Sequence, residues 1–165
     1  MYAQSGHQFS DVQGRDGWTY GTWPAGATSS AAFTEFAGTV SQVWAAVPVG
    51  PPWAQVSRWS QHPSGAVASG SDDAAVRRWT SDVAGPARGW ASVRDDNVGC
   101  GQGVDVWLVV DDVAVDTVNL PNDGVDHELS ADVTLALGTV VELVVFAGAD
   151  DGCDSTHAIL QVEAR

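Results

Sequence analysis

From Ala74 onward, apolar and polar positions alternate in short runs separated by Gly, Asp and Pro. Val104, Val106, Leu108 and Val110 alternate with Asp105, Trp107 and Val109, and the pair Asp111–Asp112 predicts a tight turn into VAVDTVNL. Leu129, Ala131, Val133 and Leu135 alternate with Ser130, Asp132 and Thr134, and Leu137–Gly138 turns the chain into VVELVVF. THAILQVEA supplies a last strand. A period of two is the signature of strands with one buried face, and strands this short with turns this frequent predict an all-β, antiparallel β-sandwich of the jelly-roll kind. In ARGWASVR the small or apolar set Ala87, Gly89, Ala91 and Val93 takes the core side, which turns Arg88, Trp90, Ser92 and Arg94 outward.

The first half is less regular. Strands are expected around HQFSDV and WTYGTW, followed by a long Pro-, Gly- and Ser-rich loop from Pro24 to about Asp73 that carries Trp44, Trp53 and Trp59. Three large aromatics argue against disorder, so this N-terminal-half loop is expected to fold over the sandwich. No stretch sustains a 3.6-residue period and no repeat or linker divides the chain, so residues 1–165 read as a single domain.

Charge narrows the partners. There are 21 Asp and Glu against 7 basic residues, all arginine, for a net charge of -14. No basic face is available for phosphates or anionic headgroups, so nucleic acid and membrane partners are not expected. Apolar runs such as VVELVVF are about a third of the roughly 20 residues that span a bilayer. The opening MYAQSGHQFS has neither the basic start nor the apolar run of a secretory signal.

The two cysteines each sit in an acidic loop, RDDNVGCGQGVDVW and GADDGCDSTH. With no CxxC spacing they predict a Cys100–Cys153 disulfide rather than a zinc site, the alternative being a pair of buried free thiols. The bridge would close a loop of about fifty residues, worth roughly 4 kcal/mol on a chain-entropy estimate, and would place the native protein in an oxidising setting, secreted or at the cell surface. It would also crowd Asp95, Asp96, Asp105, Asp150, Asp151 and Asp154 together. Calcium, which takes six to eight oxygen ligands, is the natural guest for such a cluster, and solvated turn acids are the alternative.

Catalysis finds little support. There is no GxSxG, HExxH or phosphate loop. Glu128, Glu142 and Glu163 fall on strand positions that read as exposed, whereas a glycosidase needs a carboxyl in an apolar cleft. The isolated histidines 7, 62, 127 and 157 read as structural hydrogen-bonding groups.

FSDVQGRDGWTYGTW, WSQHPSG with AAVRRWTSDVAG, DNVGCGQGVDVWLVVDD and GADDGCDST together resemble the galactose-binding-like jelly-roll modules of secreted bacterial polysaccharide-degrading enzymes and surface proteins. The resemblance runs from about Phe9 to Thr156. It implies a non-catalytic carbohydrate-binding sandwich, commonly with a structural calcium ion. Such modules would be expected to carry an acidic residue inside the last strand, where this chain has Ile159 and Leu160, which leaves Asp154 as the best match for a calcium ligand, with Asp95, Asp96 and Asp151 beside it.

Eight tryptophans, against four Phe and two Tyr, supply flat apolar faces for sugar rings. Trp18 and Trp79 lie inside the family-like motifs and read as structural. Paired as a hairpin across the Cys100 loop, the strands around Trp90 and Trp107 would set both indoles on one exposed face with Arg88 and Arg94, a candidate binding platform. Trp53 and Trp59, with Trp44, Arg58 and His62, form the rival site in the long loop. The chain therefore reads as a monomeric module that binds a polysaccharide or oligosaccharide, neutral or weakly charged, beside a catalytic domain on the same native chain. The alternatives are an adhesion or spacer domain, or a small glycoside hydrolase or lyase.

Overall fold

The computed structural model describes residues 1–148 and 150–165, with the side chains of residues 68 and 69 left aside, so the GADDGCDSTH turn is described except at residue 149. Fourteen strands are described. The early ones are short: β1 (Ala3–Gln4), β2 (Trp18–Pro24), β3 (Thr34–Glu35), β4 (Thr39–Val40), β5 (Val43–Ala45), β6 (Gln55–Val56) and β7 (Ser60–His62). The later ones are long: β8 (Asp73–Thr80), β9 (Gly85–Asp95), β10 (Val104–Val110), β11 (Val113–Leu120), β12 (His127–Leu135), β13 (Val140–Ala147) and β14 (Thr156–Ala164). A single helical turn, α1, covers Ala66–Ser69. No described helix is long and apolar enough to cross a membrane.

The strands form two antiparallel sheets. The first runs β12-β9-β14-β7-β6-β5-β4 with β1 added alongside β14, and the second runs β11-β10-β13-β8-β2-β3. Inward positions of both meet in one core that includes Ala87, Ala91, Val93, Val106, Leu108, Leu129, Leu143, Leu160 and Val162. This is the expected sandwich. Asp111 and Asp112 adopt φ 44° and 70°, the left-handed pair that a two-residue hairpin turn requires, and so make the tight turn between β10 and β11.

The long excursion folds back as expected, and does so partly as sheet. Residues 39–62 supply β4 to β7 at one edge of the first sheet, while residues near 30–35 lie across the outer face of the second. That coverage explains a difference from the sequence reading. Glu142, expected at the surface, is fully buried against Arg78, 2.7 Å away, and Arg78 in turn donates to the Ser30 carbonyl and lies 3.7 Å from the Phe33 ring centre. The central strands β8 and β13 of the second sheet are therefore buried on both faces along most of their length, with a second apolar cluster of Trp23, Ala74, Val76, Val109 and Val144 outside the main core. A simple alternation rule cannot anticipate a strand covered on both sides.

Candidate functional site

The first sheet keeps an open outer face, and β9 runs through it between β12 and β14. Its burial alternates along its length as its sequence predicts, with Ala87, Gly89, Ala91, Val93 inside and Arg88, Trp90, Ser92, Arg94 facing out. Trp90 lies opposite Ser130 of β12 and Gln161 of β14. Around it is a shallow depression of about 420 Å³ lined by Arg88, Trp90, Glu128, Gln161 and Glu163. Glu128 stands diagonal to Trp90 on one side and Glu163 diagonal to it on the other, a spacing within reach of long side chains. Arg88 donates to the Ser130 hydroxyl at 2.8 Å, which steadies its guanidinium at the rim. Arg94, farther along the face, is occupied by Asp96 at 3.1 Å and Asp126 at 3.4 Å. The result is a half-buried indole with a carboxamide, a guanidinium and two carboxylates around it, the mixture of apolar plane and convergent polar groups that a sugar ring requires.

Trp107 does not join this face. β9 and β10 belong to different sheets, and Gly89 faces Leu108 across the core closely enough that a Cβ there would sit 3.7 Å from the leucine. The expected hairpin is therefore absent, and the outward residues of the two strands look in opposite directions. Trp107 points outward from the second sheet, where its ring packs on Phe146 at 4.7 Å, beside the Trp23 cluster.

The loop aromatics are likewise dispersed. Trp44 is a core residue, stacked on Tyr20 and donating its indole N–H to the Ser10 carbonyl at 2.8 Å. Trp53, 45% exposed, lines a hollow with Val43, Val47, Pro48 and Pro52. Trp59, 39% exposed, lies over Gly6, where any side chain would collide with the ring, and meets His7 edge-on. Arg58 borders a separate hollow with Phe9, Asp11, Arg15 and Gln42. His62 is half-buried beside the Pro63 carbonyl at 2.6 Å, and burial lowers its pKa. These residues form three small surfaces rather than one cleft.

At one end of the sandwich the Cys100–Cys153 disulfide is present, with the Cα atoms 5.8 Å apart. Asp95, Asp151 and Asp154 are all buried there, while Asp96 is exposed and paired with Arg94. Asp154 carries the tension of the cluster: burial, then the charges of Asp150, Asp151 and Asp95, push its pKa up to about 7, opposed by the Gly148 amide. Neither of its carboxylate oxygens has a hydrogen bond of ordinary geometry, and the Oδ1 of Asn122 is buried in the same state. Gly101, at φ 77°, brings these groups close: a Cβ there would meet the Gly152 carbonyl at 2.6 Å and both the Asn122 side chain and Asp154 Oδ1 at 3.3 Å. Among the described residues no three His, Cys, Asp or Glu side chains converge as a metal cluster. The donors near Asp154 are instead a mixed set of carboxylate, carboxamide and backbone carbonyl oxygens, which suits a hard cation such as calcium.

Glu128, Gln161 and Glu163 were not among the candidates from sequence. Gln161 and Glu163 share the outward parity of β14, so their side was legible. Their nearness to Trp90 depends on β9 lying between β12 and β14, a long-range pairing that alternation does not specify.

No family model and no curated protein matches the chain. Solved structures similar to it include a family 51 carbohydrate-binding module from Clostridium perfringens in complex with methyl-galactose, with TM-score 0.42 and 16% identity over 68% of this chain and 77% of that one. A family 35 carbohydrate-binding module from an environmental isolate gives TM-score 0.37 and 16% identity over 57% and 71%. A β-glucosidase from Kluyveromyces marxianus gives 0.43 and 12% over 100% of this chain and 19% of that one. At such low identity none of these likenesses carries function to this chain.

Proposed function

We propose that the chain is a non-catalytic carbohydrate-binding module that holds a polysaccharide on the outer face of its first sheet and so keeps an enzyme on the same native chain at its substrate. The observation that carries this reading is Trp90: a half-buried indole on a rigid central strand, in a depression whose other groups are hydrogen-bonding or charged. Rigid placement matters because little side-chain freedom is left to lose on binding. Against hydrolysis, the one buried glutamate, Glu142, is paired with Arg78 under the covered face of the other sheet. Calcium belongs to the same proposal as a structural ion at the disulfide end, with Asp154, Asn122 and the Gly152 carbonyl as its nearest donors and Asp95 and Asp151 beside them; its chemistry there would be charge neutralisation. The native protein is read as secreted or cell-surface and monomeric.

A broad glycan array probed with the wild-type chain and with Trp90→Ala, Trp53→Ala and Trp59→Ala tests this. Binding lost only in Trp90→Ala supports the sheet face. Loss confined to the Trp53 or Trp59 variant moves the site to the loops, and silence of the wild type across the array favours an adhesion or spacer domain.

A further inference from the structure

Building on the carbohydrate-binding reading, we infer that the Trp90 face recognises a glycan bearing protonated amino groups, an oligomer of 2-amino sugars, in preference to a neutral or acidic one. The charges on the face decide this. Arg94 is occupied by Asp96 and Asp126, and Asp132 is held by Arg165. His157, opposite Arg94, has its pKa lowered by burial and then by Arg94, so it adds no positive charge at neutral pH. What remains around the indole is Arg88, Glu128 and Glu163, and neither glutamate has an ion-pair partner among the described residues.

Their placement specifies more than sign. Glu128 is level with Ser92 on one side of β9, and Glu163 is level with Arg88 on the other. At ~4.8 Å per strand and ~3.3 Å per residue, their backbones stand roughly 16 Å apart on a diagonal that passes over Trp90. One ammonium group cannot answer both carboxylates. An oligomer laid along that diagonal stacks a ring on the indole and presents an amine to a carboxylate at each end, with Gln161 beside it for a hydroxyl. The net charge of -14 supplies a field that draws such a chain in and repels a polyuronate.

Titration calorimetry at low salt with glucosamine and galactosamine hexamers, each against its N-acetylated counterpart and a galacturonate hexamer, tests the inference. One amine oligomer should bind at least tenfold more tightly than its acetylated form, and added salt should narrow the gap. Glu128→Gln/Glu163→Gln should close the gap to within about twofold by weakening the amine oligomer far more than the acetylated one. Glu35→Gln/Asp82→Asn, which removes the same charge elsewhere, should leave the gap open. If the acetylated or acidic oligomer binds as well as the amine and Trp90→Ala still abolishes binding, the amine preference is overturned and the binding face survives. An equal narrowing in both double variants overturns it too, since general charge attraction then accounts for the effect. If no oligomer binds while the glycan array shows a Trp90-dependent ligand, the amine preference alone falls; if the array is silent as well, both readings fall.

Discussion

Trp90 owes its exposure to neighbours too small to compete for the outer surface: Gly89 and Ala91 bury what little they have, and strand geometry turns the indole the other way. Gln161 lies directly opposite Trp90, and with a ring stacked on the indole as proposed it would stand beside a sugar hydroxyl. Gln161→Ala should weaken glycan binding about fivefold, the worth of roughly 1 kcal/mol from one hydrogen bond, with the melting temperature nearly unchanged. Asp154 makes the residue-scale case for calcium. Its carboxyl titrates near 7 in the folded chain against an unhindered 3.8. Because the folded value is the higher, the proton stabilises the fold fully below about pH 4, and that contribution is lost as the pH rises towards about 7. In EDTA, melting temperature should therefore fall between about pH 5 and pH 7.5 in the wild type and fall less in Asp154→Asn. Calcium should raise the wild-type melting temperature more at pH 7.5 than at pH 5, whereas equal melting with and without the ion would mean that the acids hold no metal.

At the scale of elements, β9, β12 and β14 follow the alternation of their sequence closely, whereas β8 and β13 are buried on both faces, and the turn at Asp111–Asp112 was legible from two residues. Pairing was not. Trp90 and Trp107 follow one another across a single loop, yet that loop crosses between sheets, and nothing in a period of two distinguishes a crossover from a hairpin. The excursion hid its own structure for a similar reason: strands of two or three residues are too short to show any period. What stiffens it is a charge. Arg77 is fully buried, donates to Gln61 Oε1 at 2.9 Å and the Ser5 hydroxyl at 2.9 Å, and reaches the carbonyls of Ser57, Arg58 and Ser60, which clamps the turn that carries Trp59. Burial lowers its pKa to about 10, so it remains charged at neutral pH. Arg77→Met should cost about 3 kcal/mol or more in chemical denaturation, since several buried acceptors lose their donor together. A cost near zero would show that water replaces the guanidinium.

For the whole molecule, composition narrowed the expected partners more than it identified a ligand. The charge of -14 and the absence of lysine speak against nucleic acid and anionic membranes, and the count of tryptophans pointed to aromatic recognition without saying which indole performs it. Four of the eight, Trp18, Trp23, Trp44 and Trp79, are buried, and Trp107 is half-buried against Phe146, so an abundance that looked functional is in large part packing. The disulfide joins residues 53 apart at the end of the sandwich away from any demand of the binding face, so reduction should lower stability by roughly 4 kcal/mol on the chain-entropy estimate and leave glycan affinity unchanged at a temperature where the fold persists.

Whether the open sheet face binds sugar through Trp90 is decided by measuring affinity and thermal stability together for Trp90→Ala with the best glycan from the array. Trp90→Ala should lose affinity by about tenfold or more, which is ~1.4 kcal/mol, with only a small shift in melting temperature. An unchanged affinity together with a large fall in melting temperature, the mark of an indole that serves packing at ~3 to 5 kcal/mol, would contradict it.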